Sequence, residues 1–346
     1  MVSSRLRPGV SCPNIPSFPS RDCAKQSPSV AIPVNSRFLA DLFCLNIKTT
    51  HNEDGVHSAS ELYKMLLEIR AWLYEPDPDH SAKWYKRRKA EEHSKILTES
   101  TSAAFDRLNS ASWGESLKSM FGFAAKKPTQ QPTLLRELGG LLANDALKSK
   151  NPDEAAHLMW MLAATGVGSP VTAIAEVLQF FLSSSGSAHW ADLVKLAGRP
   201  DSPTTDAQLE RYFLEAQRLT SAQLVKHRAN DTDTLLDIGA AGRNKSAPFP
   251  SPNEFRLDEA SRPLDKYIVH GFGPRGQLGR DMLLAYGTGL LKVAARTKGL
   301  RTAPKGMGEL KQVNVGGRRH YLTADWAYVV DEPTGWKLAF DELPSM

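Results

Sequence analysis

The stretch from Asp153 to Leu182, DEAAHLMWMLAATGVGSPVTAIAEVLQFFL, is apolar around most of a helical circumference, and no other part of the chain constrains its fold as much. A helix without a polar side to turn to water belongs at the centre of a large helical domain. Gly166, Gly168 and Pro170 interrupt it midway; Pro170 removes a backbone donor there, so a local kink is expected. No run of eighteen consecutive apolar residues exists, and a membrane span is therefore not expected.

Other segments support the same class, mainly α with a small β part. SASELYKMLLEIRAWLY opens with Ser58 and Glu61 at capping-box spacing and places Leu62, Met65, Leu66, Ile69 and Leu73 on one face. A proline-marked turn follows, and then a helix carrying Lys83, Lys86, Arg87, Arg88, Lys89, Glu91 and Glu92 around Trp84 and Tyr85. Its acids interleave with its bases, so we read a solvated face and expect no nucleic-acid partner. A further helix is expected from Pro132 to Leu147, and Gly316 and Gly317 between valine-containing runs predict a hairpin.

With 346 residues and 41% hydrophobic content the chain can bury a sizeable core, and a net charge of +5 singles out no partner. Cys12, Cys23 and Cys44 have neither disulfide-scaffold nor zinc spacing, which suits a reducing, cytoplasmic setting. Residues 1–33 are rich in Pro, Ser and basic residues and are expected to be a disordered leader, with order beginning near Phe38 and the domain spanning 34–346.

Two motifs bear on chemistry. The helix DAQLERYFLEAQRLTSAQL carries Glu215 and Arg218 at i,i+3, where their side chains can pair. Such a pair alone describes many solvent-exposed helices. In HGFGPRGQLGRDM, Gly271, Gly273, Pro274 and Gly279 build a tight turn able to lie flat against a large ligand, and the turn feeds an apolar helix containing Met282, Leu283, Leu284, Leu290 and Leu291. His270 precedes the turn; His93, His157, His189, His227 and His320 are isolated, and the metal site is left unknown.

The order of these features is that of the heme-thiolate fold: a long apolar helix, E-x-x-R, the proline-rich FPSPNEFRLDEASRPLDKYI, then the glycine loop. The chain resembles cytochromes P450, most closely the carboxy-terminal domain of fungal linoleate diol synthases and psi-factor-producing fatty-acid oxygenases. The resemblance runs from about Phe38 to Asp341. It implies heme as cofactor, cradled by Gly271, Phe272, Gly273, Pro274, Arg275, Gln277 and Gly279. Arg275 then faces a heme propionate or is a surface arginine. Glu215, Arg218 and Arg262 become a charged trio locking the proline-rich segment to the core helix. Where the family places its cysteine ligand this chain has Gln277, a neutral amide without the electron push of a thiolate. His270 would need a different loop path to serve instead, and a hydrogen-bonded structural role is expected of it.

Diol-synthase members present amides on the long helix that assist hydroperoxide rearrangement; here the stretch reads GVGSPVT, leaving Ser169 and Thr172 as the candidate catalytic side chains, or a core helix without a catalytic part. The interval 219–254 is short for this fold and lacks clear alternating strands, so part of the small sheet is expected to be missing. No separate peroxidase-type domain, source of the family's dioxygenase histidines and tyrosyl radical, is expected. Three functions follow from the resemblance: an oxylipin-family pseudoenzyme that retains heme or a fatty acid but not thiolate chemistry, an active fatty-acid hydroperoxide isomerase using another axial ligand, and a non-catalytic partner of a full-length fatty-acid dioxygenase.

Overall fold

The apolar stretch does form the centre of the molecule, as two helices rather than one. In the computed structural model, α5 spans Pro152–Gly166 and α6 spans Ser169–Leu182. Asn151 caps α5 by accepting from the Glu154 N–H at 2.9 Å, with Pro152 at its start and Asp153 and Glu154 in the first turn, where the helix dipole favours negative charge. The expected kink is a break. Gly168 has φ +85°, a conformation only glycine adopts readily, and Pro170 sits in the opening turn of α6, where its missing N–H costs nothing. By length and composition alone 152–182 could cross a membrane, yet 61% of its apolar window is buried within the protein.

The structure describes residues 28–49, 53, 55–74, 80–110, 134–221, 224–229, 232–244, 249–258, 262–269, 277–304, 306–315, 318–323, 326, 329–330, 332–333 and 336–344. Before the central pair come α1 (Pro28–Phe43), α2 (Ala59–Tyr74), α3 (His80–Ser110) and α4 (Leu134–Ser149). Helix α1 starts six residues inside the segment expected to be a disordered leader. Ala31 is buried and its carbonyl accepts from the Tyr286 hydroxyl at 2.9 Å, a tertiary contact that local composition does not announce. The α2 capping box forms, with Ser58 N to Glu61 Oε2 at 2.8 Å and Glu61 N to Ser58 Oγ at 3.3 Å. Leu62, Met65, Leu66 and Ile69 are buried as the periodicity requires, whereas Leu73 is exposed. On α3 the charges pair along the surface, Arg87 with Glu91 and Lys89 with Glu92, while Trp84 and Tyr85 face outward. Trp160 of α5 anchors to α3 through Thr98 at 2.9 Å.

After the central helices follow α7 (Ser187–Ala197) and α8 (Pro203–Thr220), and then strands β1 (Leu224–Ala229) and β2 (Thr232–Asp237). These strands pair antiparallel from Leu224↔Asp237 to Ala229↔Thr232, so the interval expected to lack clear strands holds a hairpin. LVKHRA and TDTLLD do not alternate cleanly, so the pairing had no periodic signature. A short α9 (Ile238–Arg243), a 3-10 turn (Leu264–Lys266) and α10 (Gln277–Arg296) lead to β3 (Arg301–Thr302), β4 (Gln312–Val315), β5 (Arg318–Leu322), β6 (Val329–Val330) and β7 (Leu338–Ala339). Strands β4, β5 and β6 form one antiparallel sheet; Val315 pairs with Arg318 around the expected glycine turn, and β3 pairs with β7.

Helix α10 packs on α6, α7 and α8. Gly287 permits its close approach to α8, because any Cβ there would overlap the Phe213 ring. Gly166 does the same where Leu39 of α1 and Met282 of α10 meet the end of α5. The molecule is thus a helical core with small antiparallel sheets toward its carboxy-terminal end.

Candidate functional site

Helix α8 carries Glu215 and Arg218 on its buried face because they lie one turn apart there, and it delivers them to the segment that precedes α10. Glu215 and Arg218 have no exposed surface and Arg262 retains 1%. The guanidinium of Arg218 grips the carboxylate with two bonds of 2.8 Å, Nε to Oε2 and Nη2 to Oε1, while Arg262 Nε donates to Oε1 at 2.7 Å. Tyr267 donates its hydroxyl to Oε2 at 2.8 Å and the Arg256 N–H reaches Oε1 at 3.1 Å. Every lone-pair direction of Glu215 is therefore engaged.

The arginines turn their remaining donors to backbone carbonyls. Arg218 bonds to those of Gly242, Pro252 and Glu254, and Arg262 to those of Pro250, Ser251 and Glu254. Phe249 lies beneath both, its ring centroid 5.2 Å from the Arg218 carbon and 5.4 Å from that of Arg262. Burial acts most strongly on the Glu215 carboxyl and would raise its pKa, but the bonds from Arg218 and Arg262 and the Arg218 charge together hold it below the usual carboxylate value. Segment 249–258 is thus fastened to α8 by charge-assisted bonds. Phe249 and Tyr267 were not singled out by sequence reasoning, since an aromatic in a proline-rich stretch carries no periodic signal.

The glycine loop itself lies largely outside the described residues: His270, Gly271, Phe272, Gly273, Pro274 and Arg275 are among those not described. Gln277 and Gly279 belong to the first turn of α10, with Gln277 its first residue. The proposed contacts of Arg275 and of the Gln277 side chain therefore lie outside the description as well.

The break between α5 and α6 is covered by a polar group that the sequence did not reveal. Glu332, from the segment after β6, is buried against Gly168 so closely that a Cβ there would overlap its carboxylate. Tyr63 of α2 donates a short hydrogen bond to Glu332 Oε2, and Arg70 Nη1 stands 3.9 Å from Oε1. Burial first, and then the neighbouring Glu332 charge, push the Tyr63 pKa far upward, so this hydroxyl remains a donor. Ser169 Oγ accepts from Arg70 Nη2 at 3.3 Å, which brings it to the edge of this group; the Thr172 N–H continues the helix by bonding to the Gly168 carbonyl. Residues 63, 70, 169 and 332 are too widely spaced for any motif to link them.

Among the described residues no side chain is placed to ligate a heme through a thiolate. A carboxamide residue opens α10, and the cysteine among the described residues, Cys44, is buried where α1 ends. Among the described residues no group of three or more His, Cys, Asp or Glu is arranged to hold a metal ion.

No family model matches the chain. Individual relatives do. It is 29% identical over 329 residues to a bifunctional dioxygenase–epoxy alcohol synthase of Fusarium oxysporum, covering 89% of this chain and 25% of the relative. It is 26% identical to psi-producing oxygenase A of Emericella nidulans, covering 89% and 29%, and 23% identical to the 7,8-linoleate diol synthase of Pyricularia oryzae, covering 89% and 33%. The chain spans about a quarter to a third of the length of these curated relatives. Among solved structures, P450BioI in complex with an acyl carrier protein superposes with a TM-score of 0.56 at 17% identity, covering 92% of this chain and 69% of that one. The open cytochrome P450 EryK of S. erythraea gives 0.57 at 14% identity, covering 92% and 70%. Glu215, Arg218 and Arg262 in their knot, and α10 beginning at Gln277, accordingly sit in a chain that has the cytochrome P450 fold and is a homologue of the fungal psi-producing oxygenases, dioxygenase–epoxy alcohol synthases and linoleate diol synthases.

Proposed function

We propose that this chain is a non-oxygenating form of the P450-fold domain of its fungal relatives, one that retains a long-chain fatty acid or fatty-acid hydroperoxide as ligand and has given up heme-thiolate chemistry. The observation that carries the proposal is the residue opening α10: a glutamine amide is a weak, neutral oxygen donor, and oxygen activation at heme depends on electron density pushed from an anionic sulfur. The buried trio belongs to the fold rather than to the chemistry: Glu215, Arg218 and Arg262 bind one another and the backbone. The relatives' names supply the ligand class, linoleate and its oxygenated products.

The role of the trio in this reading is positional. It holds 249–258 against α8 and so sets where the following loop begins, without touching a ligand. Heme held by another axial ligand is compatible with the fold, and Gly271, Phe272, Gly273, Pro274, Arg275 and Gly279 are the residues proposed to lie against it.

Absorbance spectroscopy of the hemin-supplemented chain tests the proposal. The expected result is no carbon-monoxide band of the thiolate type, with linoleate displacing a fluorescent fatty-acid probe in parallel. A thiolate-type band overturns the loss of oxygenase chemistry; failure of both linoleate and its hydroperoxide to displace the probe overturns the retained ligand. Turnover of the hydroperoxide above the rate of free hemin would show an isomerase instead.

A further inference from the structure

A concave site lies where the end of α8, the last turns of α6 and the β4–β5 hairpin meet. It encloses a cavity of about 470 Å³, within the range of small-molecule pockets. Arg243 and Arg319 both line it, from α9 and β5. Arg243 Nη1 donates to the Ser221 carbonyl at 2.8 Å and to those of Arg218 and Leu219 at 3.2 and 3.4 Å; Arg319 Nη1 donates to the Thr220 carbonyl at 2.6 Å and to Glu176 Oε1 at 3.0 Å. Each guanidinium thus spends one terminal nitrogen on the carboxy-terminal end of α8. The Nε and Nη2 donors of both have no protein partner among the described residues. That free edge is the side of a guanidinium that binds a carboxylate with two parallel bonds.

The rest of the lining selects the ligand. Phe180 and Phe255, stacked with centroids 5.5 Å apart and planes 26° from parallel, form an apolar wall with Leu219 and Leu310. Gln179 Oε1 is buried in the same lining without a hydrogen-bond partner among the described residues. Glu176 also borders the cavity, its Oε1 already accepting from Arg319 and, at 2.7 Å, from Tyr321. Burial pushes the Glu176 carboxyl above its ordinary pKa. Inorganic phosphate has no apolar body to set against Phe180 and Phe255, so the lining favours an anion that carries one.

We infer that this cavity is a binding site for an organic monocarboxylate, its carboxylate held between Arg243 and Arg319 and its apolar body against Phe180 and Phe255. Half-buried Arg243 loses hydration, which lowers its pKa, and an anion offsets that cost. The site stands on described side chains only and does not depend on the reading of Gln277.

The test is calorimetric titration of the full chain with 4-phenylbutyrate, with 4-phenylbutanol and inorganic phosphate as matched probes. The acid is expected to bind at least about tenfold more tightly than the alcohol, the size of a lost charge-assisted pair, and more tightly than phosphate. Arg243→Gln should abolish the preference for the acid. Because Arg243 also caps α8, the decisive variant is Ser185→Trp, which places a bulky ring at an exposed rim position and should weaken binding while the thermal midpoint stays unchanged. Equal affinity for acid and alcohol, tighter binding of phosphate, or wild-type affinity in a folded Ser185→Trp protein overturns the assignment.

Discussion

At the scale of single residues, Glu215 and Gly168 are the positions where the chain has least freedom. Replacing Glu215 with Gln leaves two buried guanidiniums without their counter-charge, and about 3–5 kcal/mol of stability should be lost, measured by urea unfolding. Linkage fixes the direction of the pH effect. Because the folded-state pKa of Glu215 is lowered, its contribution is complete above the unfolded carboxylate value and disappears as pH falls through the folded one; Glu215→Gln should flatten this acid limb of the stability profile. Gly168→Ala puts a Cβ on a backbone at φ +85° and into the Glu332 carboxylate that Tyr63 holds in place. A loss of about 1–3 kcal/mol is expected from the same urea measurement, and wild-type stability would show that Glu332 moves aside freely. Glu215, Arg218 and Arg262 could be read from the sequence because their order along the chain is distinctive. Glu332 could not, since nothing in VVDEPTGW says that its acid turns inward to a tyrosine 269 residues away.

Helices were legible wherever amphipathic periodicity and caps coincide, as in α2. Ser58→Ala removes the acceptor from its capping box and should cost about 1 kcal/mol, read as a drop in the urea midpoint with unchanged slope. The break after α5 was legible only as a kink. Gly166, Gly168 and Pro170 mark an interruption, but whether the axis bends or restarts depends on the φ of Gly168 and on what packs over it. The pairing of β1 and β2 escaped because neither LVKHRA nor TDTLLD alternates polar and apolar residues. Between helices, Gly287 sets the spacing of α10 on α8, and Gly287→Val should overpack Phe213 and cost roughly 1–3 kcal/mol, with the thermal midpoint falling accordingly.

For the whole molecule, the sequence conveyed class and order, and packing supplied the remainder. Its first described helix meets α10 through Tyr286 and the Ala31 carbonyl, and Phe38 meets the same ring at 6.1 Å between centroids. Composition gave residues 28–33 to the leader because it weighs only local apolar content, whereas Ala31 is tied to a partner 255 residues on. A chain starting at Phe38 should therefore lose protection of α10 amides in hydrogen exchange relative to the full chain; unchanged protection would make the α1 amino-terminal turns dispensable.

The charged knot also dictates a sequence of events during synthesis. Glu215 and Arg218 leave the ribosome together, but Arg262 and Tyr267 follow 47 and 52 residues later. Until they arrive, the Glu215–Arg218 pair is balanced in charge, but Arg218 lacks its carbonyl acceptors at 242, 252 and 254 and Glu215 lacks the Arg262 and Tyr267 donors, so burying α8 early would leave hydrogen-bonding groups unsatisfied.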